Sequence, residues 1–120
     1  MKVSPDFVDH LQDLFGQLGQ VRVRAMFGGA GVYLDDLMFG LLDRDETIYL
    51  RTDDENRSAF EAAGSAPFRY PLPSGEQMEL GYWRMPDDAL DSPEIAVGWG
   101  RLALEAAMRK ASKSRKKHKP

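Results

Sequence analysis

Between Leu18 and Val21 the spacing of the apolar residues changes from helical to alternating, and the alternation then persists, broken only by turn residues, as far as Arg51. A helix followed by a run of short strands joined by tight turns builds an antiparallel sheet, because connections this short cannot make a parallel crossover. Before the switch, Phe7, Val8, Leu11, Leu14, Phe15 and Leu18 form one helical stripe. Ser4 is placed to cap it, Pro5 suits the first helical position and Gly19 suits the stop. After the switch, Val21, Val23, Ala25 and Phe27 alternate with Arg22, Arg24 and Met26, as in a half-buried strand. Gly28-Gly29-Ala30-Gly31 interrupts, Val32-Tyr33-Leu34 resumes and Asp35-Asp36 turns. Leu37 to Leu42 is a nearly continuous apolar run of the kind found in central strands, and residues 47–51 make the next strand.

Thr52-Asp53-Asp54-Glu55 has the spacing of a capping box led by Thr52, and a helix through Ala59, Phe60 and Ala63 stops at Gly64. Pro67-Phe68-Arg69-Tyr70 reads as a strand kept at a sheet edge by its prolines. After a turn over residues 73–76, residues 77–85 alternate again. Met78, Leu80, Tyr82 and Arg84 fall on one face and Glu79, Gly81 and Trp83 on the other. Ser92-Pro93-Glu94 opens a last helix with a predicted stripe of Ile95, Trp99, Leu102, Ala103 and Ala106. Gly98 and Gly100 imply close backbone packing or a flexible first turn. The order α-β-β-β-β-α-β-β-α predicts an α+β domain with helices packed on one face of an antiparallel sheet. At 120 residues the chain has the size of one domain: an ordered part over 1–110, and a basic tail over 111–120 with nothing apolar to bury and hence expected to be disordered.

Charge and composition narrow the function. Seven of the sixteen Lys and Arg residues lie from Arg109 onward and all nineteen acids lie before it. The body therefore carries ten more acids than bases and should repel nucleic acid and anionic membrane, whereas the tail should attract them. No cysteine is present, which excludes disulfides and thiolate metal sites. The N-terminus lacks the apolar core of a signal peptide and no run is long enough for a membrane span, so the expected location is the cytoplasm, with no membrane role. His10, on the polar side of the first helix beside Asp6 and Asp13, reads as a solvated surface residue, and His118 lies in the tail. The acidic pairs sit at turns and helix starts, where capping and solvation account for them. Neither a nucleophile elbow nor a histidine metal motif is present, so no catalytic residue, metal or cofactor is expected and the chain is read as a non-enzyme.

Two segments concentrate residue types used in recognition. Phe27-Gly28-Gly29-Ala30-Gly31, with Arg22 and Arg24 upstream, reads as a tight turn or bulge, the alternative being a backbone nest for a small anion or an enzyme's substrate. Tyr82-Trp83-Arg84-Met85-Pro86 is rich in types found both in cores and at interfaces. The candidate binding surface is therefore Arg22, Arg24, Phe27, Gly28, Gly29, Gly31, Tyr82, Trp83 and Arg84. Lys113, Arg115, Lys116, Lys117 and Lys119 are a candidate salt-sensitive, sequence-independent tether to nucleic acid.

Arg22-Val23-Arg24-Ala25-Met26-Phe27-Gly28-Gly29-Ala30-Gly31-Val32-Tyr33 resembles the R-x-R-x-M-F-G-G-x-G-x-Y opening of the TfoX/Sxy N-terminal domain. Leu37-Met38-Phe39-Gly40-Leu41, Ile48-Tyr49-Leu50-Arg51, Arg57 to Gly64, Pro67-Phe68, Tyr82-Trp83-Arg84-Met85-Pro86 and a last helix with Trp99 follow in the family's order, so the resemblance covers roughly residues 5–110. It implies a secretion-chaperone-like α+β fold. It also implies kinship with bacterial regulators of natural competence that act with the cyclic-AMP receptor protein at certain promoters. Those regulators carry a second, C-terminal domain, whereas here only the basic tail follows Lys110. The resemblance thus implies a stand-alone regulatory module with a protein partner and transfers no catalytic residues. The alternatives are a nucleic-acid-associated protein tethered by its tail and a small-anion-binding protein or enzyme using the Gly28–Gly31 turn. An exposed sheet edge leaves monomer and homodimer both open.

Overall fold

In the computed structural model, residues 4–26 and 28–117 are described, with side chains through residue 113. Helix α1 spans Pro5–Phe15, and the Ser4 hydroxyl accepts the Phe7 N–H at 3.2 Å, as expected of a cap. A second contact, invisible in local sequence, holds this end. The Ser4 N–H and hydroxyl both donate to the Glu46 carboxylate at 3.1 Å, bringing an anion to the electropositive start of the helix. After Phe15 the chain tightens into a 3-10 turn, Gly16–Leu18, and leaves it at Gly19.

Six strands follow: β1 Val21–Met26, β2 Gly29–Leu34, β3 Leu37–Leu42, β4 Ile48–Arg51, β5 Pro67–Pro71 and β6 Gln77–Arg84, with α2, Arg57–Ala62, between β4 and β5 and α3, Pro93–Lys117, at the end. They make one sheet in the order β1-β2-β3-β4-β6-β5, antiparallel throughout. The element order and the α+β class expected from the sequence are borne out, and β5 lies at an edge, with a proline at each end. α3 continues to Lys117, seven residues past the Lys110 where the apolar stripe fades and where disorder was expected to begin.

The strand alternation places Val21, Ala30, Val32, Phe39, Ile48 and Leu50 in the core with Leu11, Leu14 and Phe15 of α1. Phe15 and Phe39 meet edge to face, centroids 5.4 Å apart, the arrangement that ring quadrupoles favour.

Two local expectations are corrected here. Thr52 does not lead the cap before α2. Asp53 does, one residue later: its Oδ1 accepts the N–H groups of Glu55 and Asn56, while Asn56 Oδ1 accepts the Asp53 N–H at 2.9 Å. The reciprocal exchange has the pattern of a capping box with Asn in place of Glu, but it closes a turn over residues 53–56, and α2 begins only after it, at Arg57. Asn56 is itself buried, and its amide donates to the Arg51 and Leu102 carbonyls.

The buried face of α3 is also rotated from the expected stripe. Ala96, Val97, Gly100, Ala103, Ala106 and Ala107 are buried, whereas Ile95 is 40% exposed and Trp99 lies half-buried against Phe60, centroids 4.8 Å apart. Small residues win because the helix lies so close. A Cβ on Gly100 would sit 2.8 Å from Leu18 Cδ1 and Phe15 Cδ1. Of the two glycines only Gly100 reflects close packing, since a Cβ on Gly98 would meet nothing within 4 Å.

Candidate functional site

The face of the sheet away from α1 and α3 is not flat. Gly81 adopts φ +78°, a left-handed conformation that suits glycine, and the β5–β6 register slips between Pro67 and Arg69. Irregularities of this kind let a hairpin bend out of the plane of its neighbouring strands. Phe68 of β5 reaches Tyr49 of β4, ring centroids 4.9 Å apart, although β6 lies between those strands. Between the hairpin and the sheet is a cleft of about 430 Å³, a volume typical of ligand and anchor pockets. Met26, Met38, Leu41, Tyr70, Leu80 and Tyr82 supply much of its apolar wall, and Gly28, Gly29, Asp43 and Arg44 are among its other lining residues.

The polar groups in and beside this cleft differ in how far they are already engaged. The Asp43 carboxylate accepts the N–H groups of Asp45 and Thr47 at 2.9 and 3.0 Å and the Tyr49 hydroxyl at 3.4 Å. Burial, reinforced by the Asp43 charge, raises the Tyr49 pKa. Burial likewise raises that of Tyr82, whose hydroxyl donates to the Met38 carbonyl at 3.4 Å while the Arg51 guanidinium lies 5.1 Å from its ring. Both phenols therefore stay protonated at neutral pH. Arg44 lies against Gly28 and makes no ion pair among the described residues, whereas Arg57, Arg69, Arg84 and Arg109 each do.

The residues singled out in the sequence are only partly brought together. Arg22 and Arg24 alternate with the core residues Val21 and Val23 on β1, and the Arg24 guanidinium lies 5.8 Å from the Tyr33 ring. Gly28 and Gly29 line the cleft. Gly31 lies under its floor, where a Cβ would come within 3.1 and 3.2 Å of the Met26 and Met38 sulfurs. Tyr82 is in the wall, but Trp83 packs on the helix-side core and exposed Arg84 pairs with Asp87 at 3.0 Å. Phe27 lies outside the described residues.

The glycine segment is not one long turn. Gly29 already begins β2, so only residues 27 and 28 connect the strands, and Gly28 takes φ +80°. Because β2 lies between β1 and β3, with Ala30 and Gly31 paired on both sides, its backbone groups serve the ladder and make no anion nest. The glycines there answer a steric need: a Cβ on Gly29 would fall 2.0 Å from the Leu42 carbonyl oxygen.

In the basic segment Lys113 is exposed on α3, the side chains of Arg115, Lys116 and Lys117 lie outside the description, and so does the whole of Lys119. Arg109 is already engaged. Its guanidinium holds Asp53 through two bonds of 2.7 and 2.9 Å and approaches Glu55 at 2.9 Å. This contact holds the Asp53 carboxyl below the usual range. His10 is half-buried, not solvated as expected, with Nε2–H directed at the Leu90 carbonyl at 2.9 Å.

Sequence reasoning missed Met38, Leu41, Arg44, Tyr70 and Leu80 as site residues. The available signal was the apolar character of both faces of β3 and the run Met78, Leu80, Tyr82 on one face of β6. No group of three or more metal-ligating side chains occurs among the described residues, and none of their helices is long and apolar enough to cross a membrane.

The sequence model of the TfoX N-terminal domain matches residues 13–107. The chain belongs to that family. The match takes in every strand, α2, most of α3 and the last residues of α1, so the TfoX N-terminal domain accounts for both the sheet and the cleft-forming hairpin. A curated relative, the DNA transformation protein TfoX1 of Aliivibrio fischeri, is 32% identical over 74 residues, covering 58% of this chain and 35% of the relative. The chain thus spans about a third of the length of the curated relative it matches.

Proposed function

We propose that this TfoX N-terminal domain is a non-enzymatic regulatory module that acts by binding another protein, in a process related to DNA uptake and as an accessory to transcription. The observation that carries the reading is the outer-face cleft. It is open and apolar, and Tyr70 and Leu80 in its wall are 43% and 39% exposed. Exposed apolar surface continuous with a pocket is what a protein-docking site requires. The polar groups nearby suit recognition better than catalysis. Asp43 is engaged by backbone N–H groups, and Tyr49 and Tyr82 are held as neutral phenols. Family membership supplies the regulatory context, and the relative's name points to DNA transformation. Residues 1–110 form the binding domain in this reading, and 111–120 are a basic extension carried in part on α3.

The test is genetic. The gene is deleted in its native host, and the strain is complemented with the wild-type chain, Leu80→Asp or a chain lacking residues 111–120. DNA-uptake frequency and transcript profile are read. Wild type and the truncation should restore both, and folded Leu80→Asp should not. Full rescue by Leu80→Asp with failure of the truncation would favour the nucleic-acid tether instead.

A further inference from the structure

We propose that the cleft takes an acidic, amphipathic segment of a partner protein, its bulky apolar side chain seated between Met38, Tyr70 and Leu80 and its carboxylates set against Arg44 and Arg24. This rests on the reading of the domain as a protein-binding module and adds the chemistry of the partner.

Three observations select that occupant. First, the apolar surface continues past the cleft. Tyr70 and Met78 are paired across β5 and β6, and Met78 is 46% exposed. A pocket of about 430 Å³ that opens onto an exposed apolar strip fits a chain segment with successive side chains better than one compact molecule. Second, the walls are rich in thioethers, from Met26 and Met38, with Met78 on the strip beyond. Methionine adapts its unbranched side chain to the anchor it meets, which suits recognition of a peptide side chain. Third, the charge is locally inverted. The body carries ten more acids than bases, yet two guanidinium groups beside the cleft, those of Arg24 and Arg44, make no ion pair among the described residues. Arg24 stands two residues from Met26 on the same face of β1, and Arg44 lies against Gly28 at the cleft. The one acid in the lining, Asp43, is occupied by two backbone N–H groups and a tyrosine. An acidic segment would thus meet two unpaired cations, whereas a basic one would meet the same cations and an already satisfied carboxylate.

The test uses the full chain, 15N-labelled, and a fluorescein-labelled peptide of alternating Leu and Glu, with a Leu/Lys peptide of equal length as its opposite. Saturable binding of the Leu/Glu peptide is expected, weakened by added salt, with amide shifts centred on Met38, Arg44 and Leu80. Leu80→Asp and Arg44→Glu should each weaken it by about tenfold or more. Met108→Asp, on exposed α3 surface, should leave it unchanged. Arg44→Glu should bind the Leu/Lys peptide more tightly than wild type does. Three results would overturn the proposal: no saturable binding, binding indifferent to both cleft variants, or shifts at the cleft produced by decanoate but not by the peptide. If the peptide fails while Leu80→Asp still cannot complement the deletion, the acidic partner is wrong and the protein-binding module stands. If Leu80→Asp complements fully, the cleft is not the docking site and both readings fall.

Discussion

On the helix side of the sheet, Phe15, Phe39 and Leu50 have no exposed surface, whereas beyond the outer face Tyr70, Met78 and Leu80 remain between 39% and 46% exposed. Both sets are large apolar side chains of one sheet and the helix packed on it, so the difference lies in what covers them. α1 and α3 close one face completely, with small residues on α3 drawing the helix down to Phe15 and Leu18. The other face is covered only by its own bent hairpin, which leaves a gap. The comparison teaches that apolar character in a strand does not by itself mean core. The same residue types serve cohesion where an element seals them and recognition where none does.

The sharpest way to break this contrast is to truncate one side chain on each face. Phe39→Ala should cost about 3–5 kcal/mol, because its atoms leave a sealed cavity. Leu80→Ala should stay within about 0.5 kcal/mol, as at a surface site. Urea midpoints measure both, and equal losses would mean the outer face is core after all. A second comparison sharpens the account of α3. Gly100→Val should destabilise by about 1–3 kcal/mol through overpacking against Phe15 and Leu18, while Gly98→Ala should stabilise by up to about 1 kcal/mol, since the added methyl meets nothing and helix propensity improves. Thermal melts that moved in the same direction for both would contradict the assigned helix face.

Next in size is the latch between α3 and the α2 cap. Arg109→Met removes a two-bond ion pair to Asp53 and should cost about 1–2 kcal/mol at neutral pH. The folded Asp53 pKa is lowered, chiefly by hydrogen bonding to Arg109. Its contribution is therefore fully present above the unfolded value of about 3.9 and is lost as pH falls through the folded value. The stability gap between wild type and Arg109→Met should be constant above about pH 5 and shrink toward zero in strong acid. A gap that did not change with pH would point to lost packing of the side-chain stem. A modest loss of stability is expected at Gly81→Ala, about 1 kcal/mol from the left-handed backbone. The informative readout there is the ring-current shift between Phe68 and Tyr49. If it stays while the backbone tolerates alanine, Gly81 is not what bends the hairpin.

Much of the fold was legible in the residues. α1, its Ser4 cap, the β1–β4 meander, the proline-guarded β5 and the order of all nine elements follow from periodicity and turn chemistry. The site was less legible. Tyr82, Gly28, Gly29 and Arg24 could be singled out, but Trp83 and Arg84 were grouped with them although alternation sends Trp83 to the opposite face and Asp87 engages Arg84. Arg44, in a turn with no motif around it, carried no local signal at all.

What the sequence by itself determined is what depends on neighbours along the chain: where helices start, where strands turn, which side chains alternate, and the family motif centred on Met26 to Tyr33. Tertiary structure decided what depends on distance across the chain. It chose the alanine and glycine face of α3 over Ile95, because contact with Phe15 and Leu18 at Gly100 requires the absence of a Cβ. It also made a cleft by bringing residues of β1, β3, β5 and β6 together on the outer face. Periodicity is a property of one segment, whereas burial and cavities belong to pairs of segments, and their spacing is set only when the sheet has formed and coiled.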